Sequence, residues 1–227
     1  MNRSRLFTLL TVLVCIPLTL VLGSLLQRKS YYFISTLLIV EAMLPFFVTF
    51  EHRRAQAREL VLIAVMSALA AVSRLIFAFI PHFKPITAII MLCGISFGPQ
   101  AGFLSGAMSA LASNFILGQG FWTPWQMFAY GLCGLLGGLC FHKRQQAKPL
   151  WLAGFGFAVI GLIVGPVLDC SSVFLFLSEL TWQGVLGIFA AGLFANTMHA
   201  LSCAITLYLF AKPMLTKLRR LQNKYGI

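Results

Sequence analysis

The chain alternates long runs of apolar residues with short breaks that carry glycine, proline or charge. Such runs predict helices that cross a bilayer, because an α-helix rises about 1.5 Å per residue and needs about 20 apolar residues to span the hydrocarbon core. The runs predict eight helices, at 6–26, 31–50, 59–80, 86–97, 100–117, 124–141, 150–177 and 184–212. The first follows Arg3 and Arg5 but is longer than the apolar part of a secretion signal, so it is interpreted as a span.

Charge indicates how many of these runs cross the membrane. The run 86–97 is short, and only Gly98 and Pro99 separate it from the next. Counted separately, it gives eight spans with both termini in the cytoplasm, the side on which basic residues accumulate. Arg28, Lys29 and Lys84 then lie outside. Thirteen of the 17 basic residues lie in inside segments: Arg3, Arg5, Arg53, Arg54, Arg58, Lys143, Arg144, Lys148, Lys212, Lys217, Arg219, Arg220 and Lys224.

Composition agrees with a membrane location. Hydrophobic residues make up 59% of the chain and charged residues 10%, and the mean hydropathy is +0.91, far from the balance of a water-soluble domain. The net charge of +12 does not indicate nucleic-acid binding, because the basic residues stand in short clusters between apolar runs. The predicted fold class is an all-α integral membrane protein that contacts lipid and no nucleic acid.

The most polar internal segment, at 51–59, predicts a boundary within the chain. It divides an N-terminal transmembrane hairpin, residues 1–56, from a six-helix core, residues 57–227. Small residues recur every four positions in the core, which lets helix backbones approach closely. These stripes comprise Gly102, Gly106, Ala110, Asn114 and Gly118, then Gly134 and Gly138, and finally Gly187, Ala191 and Ala195.

Two charged residues fall inside predicted spans, where an unpaired charge costs several kcal/mol. Arg74 lies six residues before Pro81, so it is predicted at about 9 Å below the outer end of its helix. Asp169 follows Gly165 and Pro166, a pair expected to kink its helix, at a similar depth. The two side chains either pair with each other or present charge to a polar ligand, and Arg74 alone could reach the outer headgroups.

The segment 113–126, predicted at the outer face, combines amides, indoles and flexible glycines. Indoles can stack on a flat ligand while amides donate and accept hydrogen bonds, so the segment indicates a binding mouth. The other interpretation of each tryptophan is an anchor at the membrane interface. The candidate ligand-binding residues of this segment are Asn114, Gln119, Trp122, Trp125 and Gln126.

Three further polar residues have simpler interpretations. Lys84, in a short outer connection, could meet a carboxylate or phosphate of a ligand, or it is a solvated loop lysine. Asn196 and His199 lie deeper in the last span, where a hydrogen bond between helices is the ordinary explanation.

The sequence carries no motif for covalent chemistry or ATP hydrolysis. It has no phosphate-binding loop, no metalloprotease motif and no nucleophile elbow. Its six cysteines lie in apolar runs without metal-type spacing, so no metal site is predicted. A membrane enzyme using Ser202 or Cys203 with His199 is a weaker alternative, because these residues are too close in sequence to face one another. A scaffold protein without transport activity is another. Uphill transport would need another subunit or an ion gradient.

The stretch from Ala57 to Leu139 resembles the substrate-binding S component of energy-coupling-factor (ECF) vitamin transporters. The similarity rests on four features in order along the chain: Ala64-Val-Met-Ser-Ala68, Pro81-x-x-Lys-Pro85, Gly102-Phe-Leu-x-Gly-Ala107, and the segment 114–126. The resemblance implies a six-helix core in a bacterial plasma membrane, and the N-terminal hairpin is an addition to that core.

The resemblance also implies partners and a ligand. An S component binds a vitamin from outside and docks through its alanine surface, here Ala64 and Ala68, on a transmembrane coupling subunit that works with two cytoplasmic ATPases. The outer segment looks like the cobalamin-specific branch, so cobalamin is the expected transported ligand and no resident cofactor is expected. Riboflavin, pantothenate or a queuosine precursor stays open, as does a histidine ligand to cobalt.

Overall fold

The computed structural model describes residues 7, 10–25, 31–52, 57–144 and 147–226, and these form helices joined by short turns, with no β-strand among them. A π-helical turn, Thr11–Cys15, leads into the first α-helix. The α-helices are α1 (Ile16–Leu25), α2 (Tyr31–His52), α3 (Ala57–Ile76), α4 (Ile86–Phe97), α5 (Pro99–Leu117), α6 (Thr123–Phe141), α7 (Pro149–Phe176) and α8 (Trp182–Tyr225).

A helix lies at each position that the hydrophobic pattern predicts. Four helices within the described ranges are long and apolar enough to cross a membrane: Tyr32–Glu51, Ala57–Ile76, Pro149–Phe176 and Trp182–Tyr225. The protein is therefore an all-α integral membrane protein, whereas the count of eight spans, the side of each terminus and the boundary at residue 56 stay predictions. Part of the charge argument and that boundary lie outside the described residues, namely Arg3, Arg5, Arg28, Lys29, Arg53, Arg54 and the segment 53–56.

The short helix α4 is the centre of the core. All 12 of its residues are buried, and α3, α5, α6 and α8 pack around it. Gly98 ends α4 with a φ of 97°, a conformation that residues with a side chain rarely adopt. The prediction that 86–97 and 100–117 are separate helices is therefore confirmed, because the chain turns at this glycine.

Glycines bring α4, α5 and α6 into backbone contact. A methyl group on Gly134 would overlap the carbonyl of Gly102, and one on Gly94 or Gly102 would overlap the carbonyl of Gly134. The first two small-residue stripes thus act as predicted, except at Gly118, where an added methyl group would meet nothing within 4 Å. The third does not, since a methyl group on Gly187 would meet nothing within 4 Å and Ala191 is exposed.

Replacing Gly134 by Ala is expected to destabilise the fold by about 1–3 kcal/mol, because the added methyl group has no space between the two backbones. The matched control is Gly154→Ala in α7, where the methyl group meets nothing within 4 Å. The measurement is the midpoint temperature of unfolding of each purified variant in detergent. A midpoint for Gly134→Ala that equals that of the control would show that the close packing contributes nothing.

Three features of the helices differ from the prediction. Helix α3 ends at Ile76 instead of residue 80, so Arg74 lies in its last turn, not six residues below its end. Helix α7 is continuous through Gly165 and Pro166, so these residues do not break it, and a π-helical stretch, Ile160–Val164, lies directly before them. This stretch changes the hydrogen-bond register ahead of the proline, which cannot donate.

The third difference is the length of α8, which continues 13 residues beyond the predicted end at residue 212. The apolar run stops at Lys212, but Leu215 and Leu218 beyond it are buried in the core. The Gln222 Nε2 donates to the carbonyl of Ser96 at 2.8 Å. Helix α8 therefore continues beyond its apolar run, because one of its faces still packs against the core although the sequence there is basic.

The N-terminal hairpin packs against one side of the core. Helix α2 contacts α5, α6 and the last part of α7. The Phe46 ring stacks on Phe103 with centroids 4.1 Å apart, and Tyr32 and Phe33 contact Phe121 edge to face. One face of α3 is left exposed.

Candidate ligand-binding site

Arg74 is the buried cation of the described core and reaches two neighbouring helices. It is 7% exposed. Its Nη1 donates to Ser113 Oγ at 2.7 Å and to Asn114 Oδ1 at 2.8 Å, and its Nη2 lies 3.5 Å from Gln126 Oε1. The last turn of α3 also suits a cation, because the carbonyl groups at the C-terminal end of a helix lack intrahelical partners and carry a partial negative charge.

Asn114 joins α5 to the start of α6. Its Nδ2 donates to Gln126 Oε1 at 2.9 Å and to Thr123 Oγ1 at 3.0 Å. The sequence brings these groups together because Gly118, at a φ of 109°, ends α5 and lets the chain turn directly into α6. We call Arg74, Ser113, Asn114, Thr123 and Gln126 the amide cluster.

Gln119 and Trp122 lie at the rim instead of in the cluster. Gln119 is exposed, donates from Nε2 to the carbonyl of Leu111 at 3.2 Å and accepts from Thr123 Oγ1 at 2.9 Å. Trp122 is 40% exposed, and its ring lies over Gly120. Gln119 closes the turn that carries the cluster, and the exposure of Trp122 fits the membrane-anchor interpretation.

A wall of aromatic side chains continues the cluster inward. Trp125 is buried and packs against Phe174 with ring centroids 5.8 Å apart. Tyr130 is fully buried and meets the His199 ring edge to face at 5.9 Å. The His199 Nε2 in turn lies 3.3 Å from Thr87 Oγ1, so the predicted bond between helices is confirmed for His199.

Three buried polar atoms along this wall have no hydrogen-bond partner in the described structure: Arg74 Nε, Trp125 Nε1 and Tyr130 Oη. Leaving a buried donor unpaired costs about 1–3 kcal/mol. All three can donate, so a ligand that presents carbonyl or anionic oxygens would satisfy them.

Asp169 lies apart from Arg74. Within the described ranges no ion pair joins the two, and Asp169 Oδ2 accepts from Asn196 Nδ2 at 2.7 Å. A pair of Arg74 with Asp169, which the sequence left open, is therefore wrong, because α8 inserts Asn196 against the carboxylate. This bond confirms the prediction for Asn196. The Asp169 and Asn196 side chains line a groove of about 450 Å³ between α7 and α8.

Lys84 is half-buried in the connection between α3 and α4, after His82 at a φ of 60°. Among the described residues, no hydrogen bond joins Lys84 to the amide cluster, so its predicted contact with a ligand stays a prediction. Across the described residues, no group of three His, Cys, Asp or Glu side chains could hold a metal ion.

Sequence reasoning missed three members of this site: Ser113, Thr123 and Tyr130. Ser113 and Thr123 sit beside the predicted amides, and their hydroxyls were not singled out because serine and threonine are common in membrane helices. Tyr130 lies four residues after Gln126, one helical turn away, and this spacing was the available signal.

Ala64 and Ala68 lie on the exposed face of α3, away from the amide cluster. Both are exposed, and the exposed apolar side chains of Leu60, Val61 and Val65 border them. This surface is flat at its centre, because alanine carries only a methyl group. A partner helix could therefore approach closely here.

Comparison with known proteins places the chain among transport proteins. Residues 54–216 match the family described as "ECF-type riboflavin transporter, S component". A UPF0397 protein of Vibrio atlanticus (strain LGP32) is 30% identical over 124 residues, which cover 51% of this chain and 68% of that protein. No solved structure matches.

Proposed function

The chain belongs to the family of ECF-type riboflavin transporter S components, and from that membership we propose that the amide cluster and its aromatic wall are the place where it captures a vitamin. The protein is a multi-pass protein of the bacterial plasma membrane and a substrate-binding subunit of a vitamin transporter. Such a subunit does no chemistry itself, and the family implies a coupling subunit and ATPases as partners.

The observation that carries the proposal is the uncompensated charge of Arg74. A buried charge costs several kcal/mol unless it is paired. Within the described part of the chain, the hydrogen-bond partners of Arg74 are the neutral side chains of Ser113, Asn114 and Gln126, and its Nε has none. A ligand oxygen placed against this guanidinium and the indole of Trp125 would offset that cost. The site therefore favours a flat ligand rich in carbonyl groups.

Cobalamin is the first candidate ligand, from the outer segment that carries Asn114, Trp125 and Gln126. The rim of a corrin carries many amide carbonyls, which suit the donors of the cluster, and its face is broad enough to reach the rim residues Gln119 and Trp122. Lys84 would then lie on the far side of the mouth, and Asp169 would lie outside it.

Riboflavin is the second candidate, and the description of the matched family favours it. Its tricyclic ring is flat and carries two carbonyl groups, which suit the unpartnered donors Arg74 Nε, Trp125 Nε1 and Tyr130 Oη. The ring is also narrower than a corrin, which suits a wall in which Trp125 and Phe174 are already in contact. No specific feature of the site favours pantothenate or a queuosine precursor.

Calorimetry of the detergent-purified chain with cobalamin, riboflavin and pantothenate tests the proposal. The Trp125→Ala variant is expected to bind the vitamin about tenfold more weakly than wild type, since it loses the stacking surface and the indole donor. The matched control is Trp151→Ala, an indole that is 72% exposed at the other end of the bundle. This control is expected to bind as wild type does.

The outcomes distinguish the identity of the ligand from the location of its binding site. Cobalamin binding weakened by Trp125→Ala would support both the ligand and the site, and riboflavin binding weakened in the same way would keep the site and replace the ligand. Equal weakening of binding by Trp125→Ala and Trp151→Ala would rule out the amide cluster and its aromatic wall as the binding site. Silence with all three vitamins would contradict the proposed ligand class.

A further inference from the structure

A basic cavity lies at the end of the bundle opposite the amide cluster, between the start of α7 and the last part of α8. Its volume is about 370 Å³. Of the seven described residues that line it, three are basic and none is acidic. These lining residues are Ala147, Lys148, Pro149, Lys212, Leu215, Thr216 and Arg219.

The length of α8 places this cavity at the level of lipid headgroups. Trp182, at the start of α8, is 83% exposed and suits one membrane interface. Lys212 follows 30 residues later, which is about 45 Å along a helix and equals the thickness of a bilayer with both headgroup layers. When Trp182 lies at one interface, Lys212 therefore lies at the other, which the charge distribution predicts to be cytoplasmic.

The two residues of α7 that follow the cavity-lining Pro149 are apolar and exposed. Leu150 and Trp151, next to Lys148 in the chain, are 71% and 72% exposed. Within the cavity, Leu215 is buried, while the lysines at 148 and 212 are exposed. The basic side chains that line the cavity suit the headgroup of a phospholipid, and the neighbouring apolar side chains suit its acyl chains.

We propose that the basic cavity binds the phosphate of an anionic phospholipid of the cytoplasmic leaflet. Lys148 and Lys212 would hold the phosphate through charge-assisted hydrogen bonds, while the acyl chains would lie along Leu150 and Trp151. The volume of about 370 Å³ accommodates a phosphate ester with its glycerol. This lipid would tie the start of α7 to the end of α8, independently of any vitamin at the other end.

Native mass spectrometry tests this site on the full chain in mild detergent with added phosphatidylglycerol or phosphatidylcholine. Wild type is expected to retain phosphatidylglycerol preferentially. The double variant Lys148→Gln, Lys212→Gln is expected to retain it about tenfold less. The matched control is Lys217→Gln, Lys224→Gln, which removes two exposed charges from α8 outside the cavity. This control should retain the lipid as wild type does.

Four results would overturn the proposal. Equal retention of the two lipids by wild type would mean that the headgroup charge is not recognised, and equal loss in both double variants would indicate general charge attraction. Displacement of phosphatidylglycerol by millimolar inorganic phosphate would assign the cavity to a soluble anion. Unchanged lipid retention with lost assembly of the cavity variant on its coupling subunit would assign it to an acidic segment of a partner.

Discussion

The Arg74→Gln variant is expected to bind the vitamin at least about 100-fold more weakly than wild type, which corresponds to about 2.7 kcal/mol. The substitution removes the buried cation and its charge-assisted bonds to Ser113 and Asn114, and with them the Nε, which has no partner among the described residues. A hydrogen bond to a charged group contributes about 1.5–3 kcal/mol, so loss of the contact between ligand and guanidinium alone accounts for most of this effect. Calorimetry with the vitamin that wild type binds measures the change.

The matched control is Arg58→Gln, the same substitution on the same helix. Arg58 is exposed, and its Nη1 donates to the carbonyl of Tyr225 at 3.3 Å, at the end of the bundle away from the cluster. It is expected to bind as wild type does. If Arg74→Gln unfolds, Gln126→Ala replaces it, since Gln126 is only half-buried and accepts from Arg74 and Asn114. Wild-type affinity in both folded variants would rule out the cluster as the ligand site.

Replacement of Ala64 or Ala68 by Trp is expected to reduce vitamin uptake by cells to background while binding by the purified chain is unchanged. Both alanines are exposed and one helical turn apart, so a large side chain at either position would extend from the exposed face of α3 and leave the described core undisturbed. It would hold a partner helix away from the flat surface of α3, where close approach needs small residues. The measurements are accumulation of labelled vitamin in cells that also produce the coupling subunit and ATPases, and calorimetry of each variant.

The matched control is Ala190→Trp, the same change at an exposed alanine of α8. It is expected to leave uptake near the wild-type level, because it does not lie on the α3 surface. Wild-type uptake by both α3 variants would mean that the coupling subunit docks elsewhere. Lost binding by the purified α3 variants would instead indicate a folding defect.

The sequence identified the main residues of the candidate site because they break a strong pattern. A guanidinium in an apolar run, such as Arg74, is costly and hence informative, and the amides of Asn114 and Gln126 lie in one short segment around a turn. The structure brings these three together on α3, α5 and α6. The same reasoning allowed Asp169 to pair with Arg74. The depth of a residue along its helix can be counted from the sequence, but the direction in which its side chain points cannot.

The rest of the site depends on packing that has no local signal. The direction of Trp125 toward Phe174, the contact of Tyr130 with His199 and the turning of Gln119 toward Leu111 each depend on how neighbouring helices are rotated. The same rotations decide which buried donors have no hydrogen-bond partner. Such donors can be identified only from the positions of all the neighbouring side chains.

By itself, the sequence determined that this protein is a helical membrane protein, where its helices lie and that α4 and α5 are separate, because apolar runs and glycines act over a few residues. Only the tertiary structure decided that the short α4 is the buried centre, that α8 continues to Tyr225 and that Arg74 meets amides instead of Asp169. These features depend on contacts between residues distant in the chain. Side-chain direction at such contacts is set by the packing of whole helices, which no local pattern encodes.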